Sequence, residues 1–169
     1  MRKLAGLIAN IPEAIAGLTM LAITVILFAG VIWRYFLVDP LTWSDEIARA
    51  LFVWLVFIGA AIGVKRRMHA SVSVLSALIP AQWHRVTTII GLVAIGLMAA
   101  VLLYKGAIET AANFKQVMPV TGLSRGWLYL GVPVSGLLML VYLIPQMWDA
   151  IRGVPLRSAH EHQPQDHAA

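Results

Sequence analysis

The stretch from Trp33 to His69, WRYFLVDPLTWSDEIARALFVWLVFIGAAIGVKRRMH, decides the fold of this chain. It begins at the end of one apolar run, passes through a short acidic turn, and enters a second apolar run that carries Arg49. It ends in a basic cluster, Lys65-Arg66-Arg67, and a histidine. Because the charges fall between long apolar runs, the pattern predicts helices that cross a membrane, joined by short polar loops.

The composition of the whole chain agrees with a membrane environment. Of its 169 residues, 60% are apolar and 12% are charged, whereas a soluble domain carries about 25% charged residues. The chain has no cysteine, which excludes disulfides and thiolate metal sites. The net charge is +5, but the basic residues lie in short loops and form no single face. No nucleic-acid partner is therefore predicted.

Four charge-poor runs are long enough to be membrane spans, since about 20 helical residues cross roughly 30 Å of hydrocarbon. The first run is too long for the core of a signal peptide, roughly 7–15 residues, and we interpret it as a retained span. We predict an all-α integral membrane protein whose four-helix transmembrane domain covers residues 1–157. A polar tail, residues 158–169, is expected to be disordered in the cytoplasm. The spans are predicted at about 13–36, 43–65, 83–106 and 125–149.

The distribution of Lys and Arg predicts the orientation. The termini and the loop after the second span carry more of them than the other two loops, with Lys65–Arg67 contributing most of the excess. The positive-inside rule therefore predicts that both termini are cytoplasmic. The third helix has no proline from Gln82 to about Gln116 and would exceed the bilayer thickness. We expect it to end in a short amphipathic or projecting helical segment on the periplasmic side.

Four charged residues at the outer ends of the first two helices form the main candidate site. Arg34 ends helix one, where a cation complements the helix dipole, and the short loop lets it reach the acids of helix two. Arg49 lies about two turns inside helix two, where an arginine either snorkels to the headgroups or pairs with an acid of its own helix or of a partner subunit. We predict a structural cluster that also contacts a partner. Its members are Arg34, Asp45, Glu46 and Arg49.

Other patterns give weaker indications. Thr42 or Ser44 is expected to cap the second helix. Gly59 and Gly63 form a GxxxG pattern that permits close approach of a neighbouring helix. Glu13 is a lone acid at the inner interface and is expected to be solvated. The aromatic residues gather at the predicted interfaces, as membrane anchors do.

No pattern in the chain predicts catalysis. The sequence has no P-loop, no Ser-His-Asp set and no pair of carboxylates within a span. No histidine lies in an apolar run, so neither a haem nor a metal cofactor is expected. The physical interpretation is a four-helix membrane protein that is not an enzyme and works as a subunit of a larger assembly.

An ordered set of residues resembles the small permease subunit of TRAP transporters, the DctQ-like family. The second half agrees more loosely, through Gly126-Trp127-Leu128-Tyr129 and Val132-Pro133-Val134, and the segment after His69 departs from the family pattern. The similarity covers about residues 11–151. In the first half it consists of Arg34-Tyr35, Pro40-Leu41, Trp43, Glu46, Ala48-Arg49, Trp54, Phe57, Gly59-Ala60-Ala61, Arg66 and His69-Ala70.

This resemblance implies a role in the bacterial inner membrane. Such a subunit pairs with a large permease subunit, to which a periplasmic substrate-binding protein delivers an organic acid. Uptake is then driven by an ion gradient, usually sodium. The alternative is a self-sufficient small carrier that works as a homo-oligomer, which would need an acid inside the membrane. The substrate stays open among C4-dicarboxylates, sialic acids and other sugar or keto acids.

Overall fold

The computed structural model describes residues 11–67 and 84–152. These contain four helices long and apolar enough to cross a membrane, and no strand, which confirms the predicted all-α membrane fold. The predicted tail, most of the loop between spans two and three, and His69 lie outside the described residues. The helices are α1 (Ile11–Ile32), which continues into a π-helical turn (Trp33–Leu37), α2 (Ser44–Lys65), α3 (His84–Asn113) and α4 (Gly126–Ile151).

The four helices form an open row. The pair α3 and α4 makes the most extensive contact, α4 also packs on α2, and α2 packs on α1. The spatial order is therefore α1, α2, α4, α3, and α1 makes no extensive contact with the other two described helices. The buried centre of the row lies among α2, α3 and α4. It consists of Ala61, Val64, Leu92, Ala99, Met139, Leu143 and Ala150.

Glycines on α4 explain why this helix can have a neighbour on each side. A Cβ built at Gly136 would lie 2.8 Å from the backbone nitrogen of Leu103 and 2.9 Å from the carbonyl oxygen of Ala99. A Cβ at Gly131 would lie 3.2 Å from the Trp54 ring of α2. Small residues let helix backbones approach in lipid, where no hydrophobic effect drives helices together. The α4 backbone therefore lies close to both α3 and α2.

Helix α3 is longer than a membrane span requires. The helix has 30 residues, which corresponds to about 45 Å and exceeds the hydrocarbon thickness of about 30 Å. A compact loop, residues 114–125, then returns the chain to α4, and an antiparallel bridge pairs Val117 with Ser124 inside it. The Ser124 hydroxyl accepts a hydrogen bond from the N–H of Gly126 at 3.1 Å and so supports the start of α4.

The start of α2 differs from the prediction. The residue preceding the helix is Trp43, and no side chain caps the helix N-terminus. The Ser44 hydroxyl instead donates to the carbonyl oxygen of Leu41 at 2.7 Å. Ser44 is buried because α1 passes close to it, and a Cβ at Gly30 would lie 3.1 Å from the Ser44 oxygen. The predicted cap by Thr42 or Ser44 is therefore wrong.

Candidate functional site

Charged side chains gather at the two ends of the helices along their long axes. We call one end the loop end; it contains residues 33–46 and the loop 114–125. We call the other the basic end; it contains the end of α2, the start of α3 and the end of α4. The predicted cluster of Arg34, Asp45, Glu46 and Arg49 lies at or next to the loop end.

The structure brings Arg34 and Asp45 together. Arg34 Nη2 lies 3.8 Å from Asp45 Oδ2, and the two side chains are 56% and 64% exposed. Arg34 belongs to the π-helical turn that ends the first span, and the chain reverses at Val38 with a left-handed φ of 58°. The contact joins the ends of α1 and α2, but solvent screening makes such an exposed pair weak.

Glu46 contacts the loop between α3 and α4. Its Oε1 accepts a hydrogen bond from the N–H of Val120 at 3.1 Å, and its Oε2 accepts from the N–H of Thr121 at 2.9 Å. The Thr121 hydroxyl also donates to Oε2, at 2.8 Å. One carboxylate thus satisfies two backbone donors and one hydroxyl, and it holds this loop against the start of α2. Arg34 is not its partner.

Arg49 lies one turn deeper and forms no ion pair within 4 Å among the described residues. It is exposed on the surface of α2. At helical spacing the same surface continues through Phe52, Val56 and Gly59, which are also exposed. The structure therefore divides the predicted cluster into an Arg34–Asp45 pair, a Glu46 contact with the loop, and an exposed Arg49 with no ion pair within 4 Å among the described residues.

The two tryptophans in the set of residues that carries the family resemblance, Trp43 and Trp54, have different surroundings. The indole N–H of Trp54 donates to the carbonyl oxygen of Trp127 at 2.9 Å, and the Trp54 ring covers Gly131. Trp54 therefore joins α2 to α4 inside the chain. Trp43 is 44% exposed at the loop end, where an aromatic ring suits the level of the headgroups.

Gly59, the first glycine of the GxxxG pattern on α2, packs on none of the described helices. A Cβ at Gly59 would meet nothing within 4 Å, and the residue is exposed. Gly63 is half-buried. The close helix approaches within the chain are made by α4 and α3 glycines such as Gly136 and Gly106, which the sequence analysis did not single out. Their signal in the sequence, single glycines in an apolar run, is present in every span.

At the basic end the structure corrects the expectation for Glu13. Its Oε1 lies 2.6 Å from Lys65 Nζ and 3.7 Å from Arg66 Nε, and its side chain is only 22% exposed. The expectation of a solvated lone acid is wrong, because the antiparallel packing of α1 on α2 brings the start of one helix beside the end of the other. Glu13 and Lys65 therefore join α1 to α2 at this end.

A second ion pair at the basic end connects α2 to α4. Arg67 Nη2 lies 2.8 Å from Asp149 Oδ2. Arg67 has a left-handed φ of 57°, which turns the chain sharply after α2. Nearby, the Gln146 side chain donates to the carbonyl oxygen of Val64 at 2.7 Å, which satisfies one of the free carbonyls at the end of α2.

The ion pairs and hydrogen bonds at the loop end and the basic end stabilise contacts between helices, and none of those described is suited to catalysis. In residues 11–67 and 84–152, no three His, Asp or Glu side chains are close enough to hold a metal ion. The described acids of the helices lie near helix ends. The chemistry available at both ends is therefore ion pairing and hydrogen bonding.

Comparison with known proteins gives a consistent family match. The family described as "Tripartite ATP-independent periplasmic transporters, DctQ component" matches residues 23–153. A relative from Vibrio cholerae, the sialic acid TRAP transporter small permease protein SiaQ, is 26% identical over 153 residues, which are 90% of this chain and 88% of the relative. The C4-dicarboxylate TRAP transporter small permease protein DctQ of the same organism is 36% identical over 98 residues, 58% of this chain and 42% of the relative.

A third relative is much longer than this chain. The sialic acid TRAP transporter permease protein SiaT of Haemophilus influenzae is 25% identical over 135 residues. The match covers 80% of this chain but only 22% of the relative. The region similar to this chain is therefore a small part of a larger permease polypeptide in that protein.

Proposed function

This chain belongs to the DctQ component family of the tripartite ATP-independent periplasmic transporters, and we propose that it braces the large permease subunit of one such transporter. It is a membrane subunit of a transporter and not an enzyme. A small, multi-pass subunit of the bacterial inner membrane fits the four apolar helices.

The open helix row carries this proposal. A four-helix chain that worked alone would gain from closing into a bundle, yet only Pro12 is buried in α1, and the Arg49–Gly59 surface of α2 is uncovered. The described acids of the chain lie near helix ends, where they contact neighbouring helices or loops. These features favour an accessory role for this chain, in which the sites for substrate and ions lie on another subunit.

We infer that the Arg49–Gly59 surface of α2 meets the large subunit. Gly59 allows close approach of a foreign helix, and Phe52 and Val56 supply apolar contact area. Arg49 would pair with an acid or with free carbonyls of the partner, because an unpaired arginine at the edge of the hydrocarbon is costly. The relative in which a similar region makes up 22% of one long permease supports direct association with a larger permease part.

The proposed transport reaction is the uptake of an organic acid, driven by an ion gradient that we propose to be sodium. A periplasmic binding protein would deliver the substrate. The names of three relatives mention sialic acid, C4-dicarboxylate and isethionate, which are all organic acids. We propose an organic-acid substrate for this system on that ground, and we propose that both termini are cytoplasmic on the ground of the positive-inside rule.

Co-purification with the large subunit tests this proposal. Gly59→Leu places a bulky side chain on the proposed interface, at an exposed position where a Cβ would meet nothing within 4 Å. We expect a strongly reduced yield of the complex and reduced uptake of the acid. Gly91→Leu is the matched control, since a Cβ at Gly91 of α3 also meets nothing within 4 Å. Equal yields for the two variants would contradict the assigned surface.

Reconstitution tests the supporting role itself. Purified chain in liposomes is expected to take up no organic acid, and uptake is expected only when the large subunit and the binding protein are present. Uptake by this chain alone would overturn the proposal and favour a self-sufficient homo-oligomeric carrier. Because the sequence has no cysteine, single cysteines introduced near each terminus can report the orientation by labelling from one side of the membrane.

A further inference from the structure

Arginines from three different helix ends converge on the last turn of α4. Arg67, just after α2, pairs with Asp149 at 2.8 Å. Arg85, in the first turn of α3, donates a hydrogen bond to the carbonyl oxygen of Ile151. The third, Arg152, follows α4 directly. These three guanidinium groups are thus held at one corner of the basic end by contacts with residues 148–151.

The positive charge at this corner exceeds the negative charge. Asp149 is the only described acid that pairs with any of the three arginines, and Arg67 is its partner. Arg85 and Arg152 are both exposed and form no ion pair with a described acid. A guanidinium has five N–H donors in a rigid fork that matches phosphate oxygens. The contacts that position these two arginines leave donors available for an anion.

Trp148 indicates the depth of this corner in the membrane. The Arg152 guanidinium lies 4.6 Å from the centre of the Trp148 ring, and Trp148 is 57% exposed. Exposed tryptophan at the end of an apolar helix lies at the level of the lipid headgroups. The stacking holds Arg152 at that level, where a lipid phosphate is within reach.

An exposed apolar stripe on α4 leads from this corner into the membrane. Its members follow one another at helical spacing on the same face. The stripe spans 11 residue steps, about 16 Å, which is close to half of a hydrocarbon core of about 30 Å. It therefore has the length of one acyl chain in a single leaflet. It consists of Leu137, Val141, Ile144 and Trp148, each at least 52% exposed.

We propose that this corner is a binding site for an anionic phospholipid. The lipid phosphate lies between the guanidinium groups of Arg85 and Arg152, and one acyl chain lies along the α4 stripe. Basic pockets between helix ends bind acidic lipid headgroups in this way. The site lies at the basic end of the helices, opposite the Glu46 contact at the loop end. It does not depend on which surface of α2 meets the large subunit.

Lipid titration of the purified full-length chain in a neutral detergent tests the proposal. Bound lipid is counted by native mass spectrometry, with phosphatidylglycerol and phosphatidylcholine of identical acyl chains as probes. We expect one phosphatidylglycerol to bind at least tenfold more tightly than phosphatidylcholine. In Arg85→Gln/Arg152→Gln, binding of phosphatidylglycerol should weaken about tenfold or more, because each cation near the surface contributes to attraction of an acidic lipid.

The control removes the same charge elsewhere. Lys105→Gln/Lys115→Gln takes two cations from α3 and the loop that follows it, toward the loop end, and should change phosphatidylglycerol binding less than twofold. Equal weakening by both double variants, or no preference for phosphatidylglycerol, would overturn the proposal. Arg152→Gln alone, which leaves the Arg85 contact with α4 intact, provides the same comparison if the double variant does not fold.

Inorganic phosphate separates a lipid from a free anion. We expect millimolar phosphate not to displace the bound phosphatidylglycerol, because phosphate gains nothing from the apolar stripe. Ile144→Ser, which removes apolar contact and no charge, should weaken lipid binding and leave phosphate binding unchanged. Complete displacement by phosphate, or identical lipid binding by Ile144→Ser, would show a simple anion site and would overturn the assignment to a phospholipid.

Discussion

The α3–α4 pair and α1 have similar apolar sequences but opposite roles in the packing. Eight residues of α4 are buried, whereas Pro12 is the only buried residue of α1. The glycines explain the difference. Gly136 of α4 faces the α3 backbone, while a Cβ at Gly17 of α1 would meet nothing within 4 Å. In lipid, local shape rather than hydropathy therefore decides which helices pack on each other.

The attachment of α1 also differs in kind from that of α4. Three contacts join α1 and its π-helical turn to α2 near the helix ends: Glu13 with Lys65, Gly30 with Ser44, and Arg34 with Asp45. By contrast, α4 is held along its length by interlocked backbones and the Trp54 hydrogen bond. The chain thus has three helices, α2, α4 and α3, that share the buried centre, and an edge helix, α1, that lipid or a partner must cover.

The largest effect is expected from Gly136→Val, which introduces a side chain between α4 and α3. Its Cβ would lie less than 3 Å from backbone atoms of Ala99 and Leu103, and backbone cannot move aside as a flexible side chain can. Overpacking of this kind costs about 3 kcal/mol. Reversible unfolding in mixed micelles, with the free energy measured against denaturant, should show this loss.

Gly17→Val is the matched control for that comparison. A Cβ at Gly17 of α1, which is exposed, would meet nothing within 4 Å, so we expect the free energy of unfolding to stay within about 0.5 kcal/mol of the wild type. A similar loss in the two variants would contradict the division into a packed pair and an edge helix.

The second effect concerns the loop that joins the packed pair. Glu46→Ala removes the acceptor of the N–H groups of Val120 and Thr121. We expect amide exchange of these two residues to rise at least tenfold, while exchange in the middle of α3 and α4 stays unchanged. Asp45→Asn, one position away and without a contact to the loop, is the control. Unchanged exchange in Glu46→Ala would show that the loop holds itself in place.

The sequence was sufficient to predict the four helices, but it was not sufficient to predict which helices pack on each other. Long apolar runs separated by charges fix the number and type of helices, because only satisfied backbones can cross lipid. The spatial order α1, α2, α4, α3 could not be predicted, since each span is apolar all round. Gly59-xxx-Gly63 indicated that close approach is possible, but a glycine pattern does not state which helix approaches it.

The candidate site was predictable only where two side chains of opposite charge are close in sequence. Arg34 and Asp45 flank one short loop, so their approach follows from connectivity. Glu46 contacts backbone N–H groups 74 and 75 positions away, and backbone donors leave no mark in a sequence. Glu13 and Lys65 are 52 positions apart, and their pairing requires knowing that α1 packs on α2.

A third, smaller effect is expected from Glu13→Gln at the basic end of α1. The substitution removes the ion pair between Glu13 and Lys65, which we expect to cost about 1 kcal/mol. The loss should appear as faster amide exchange in the first turns of α1, with little change in α4. Asp149→Asn, which breaks the pair with Arg67 instead, should affect the end of α4 and leave α1 unchanged. A uniform loss across all helices in Glu13→Gln would contradict the local role of this pair.

The smallest effect is expected from Arg34→Gln at the opposite end of α1. Both partners are more than half exposed and their charged atoms are 3.8 Å apart, so water screens the attraction and the pair contributes at most about 0.5 kcal/mol. A double-mutant cycle of Arg34→Gln with Asp45→Asn measures the coupling directly, because it cancels the other effects of each substitution. A coupling energy several times larger would mean that the loop end also fixes α1 firmly. The edge helix would then be attached as strongly at its ends as α4 is along its length, and the contrast between the two regions would fail.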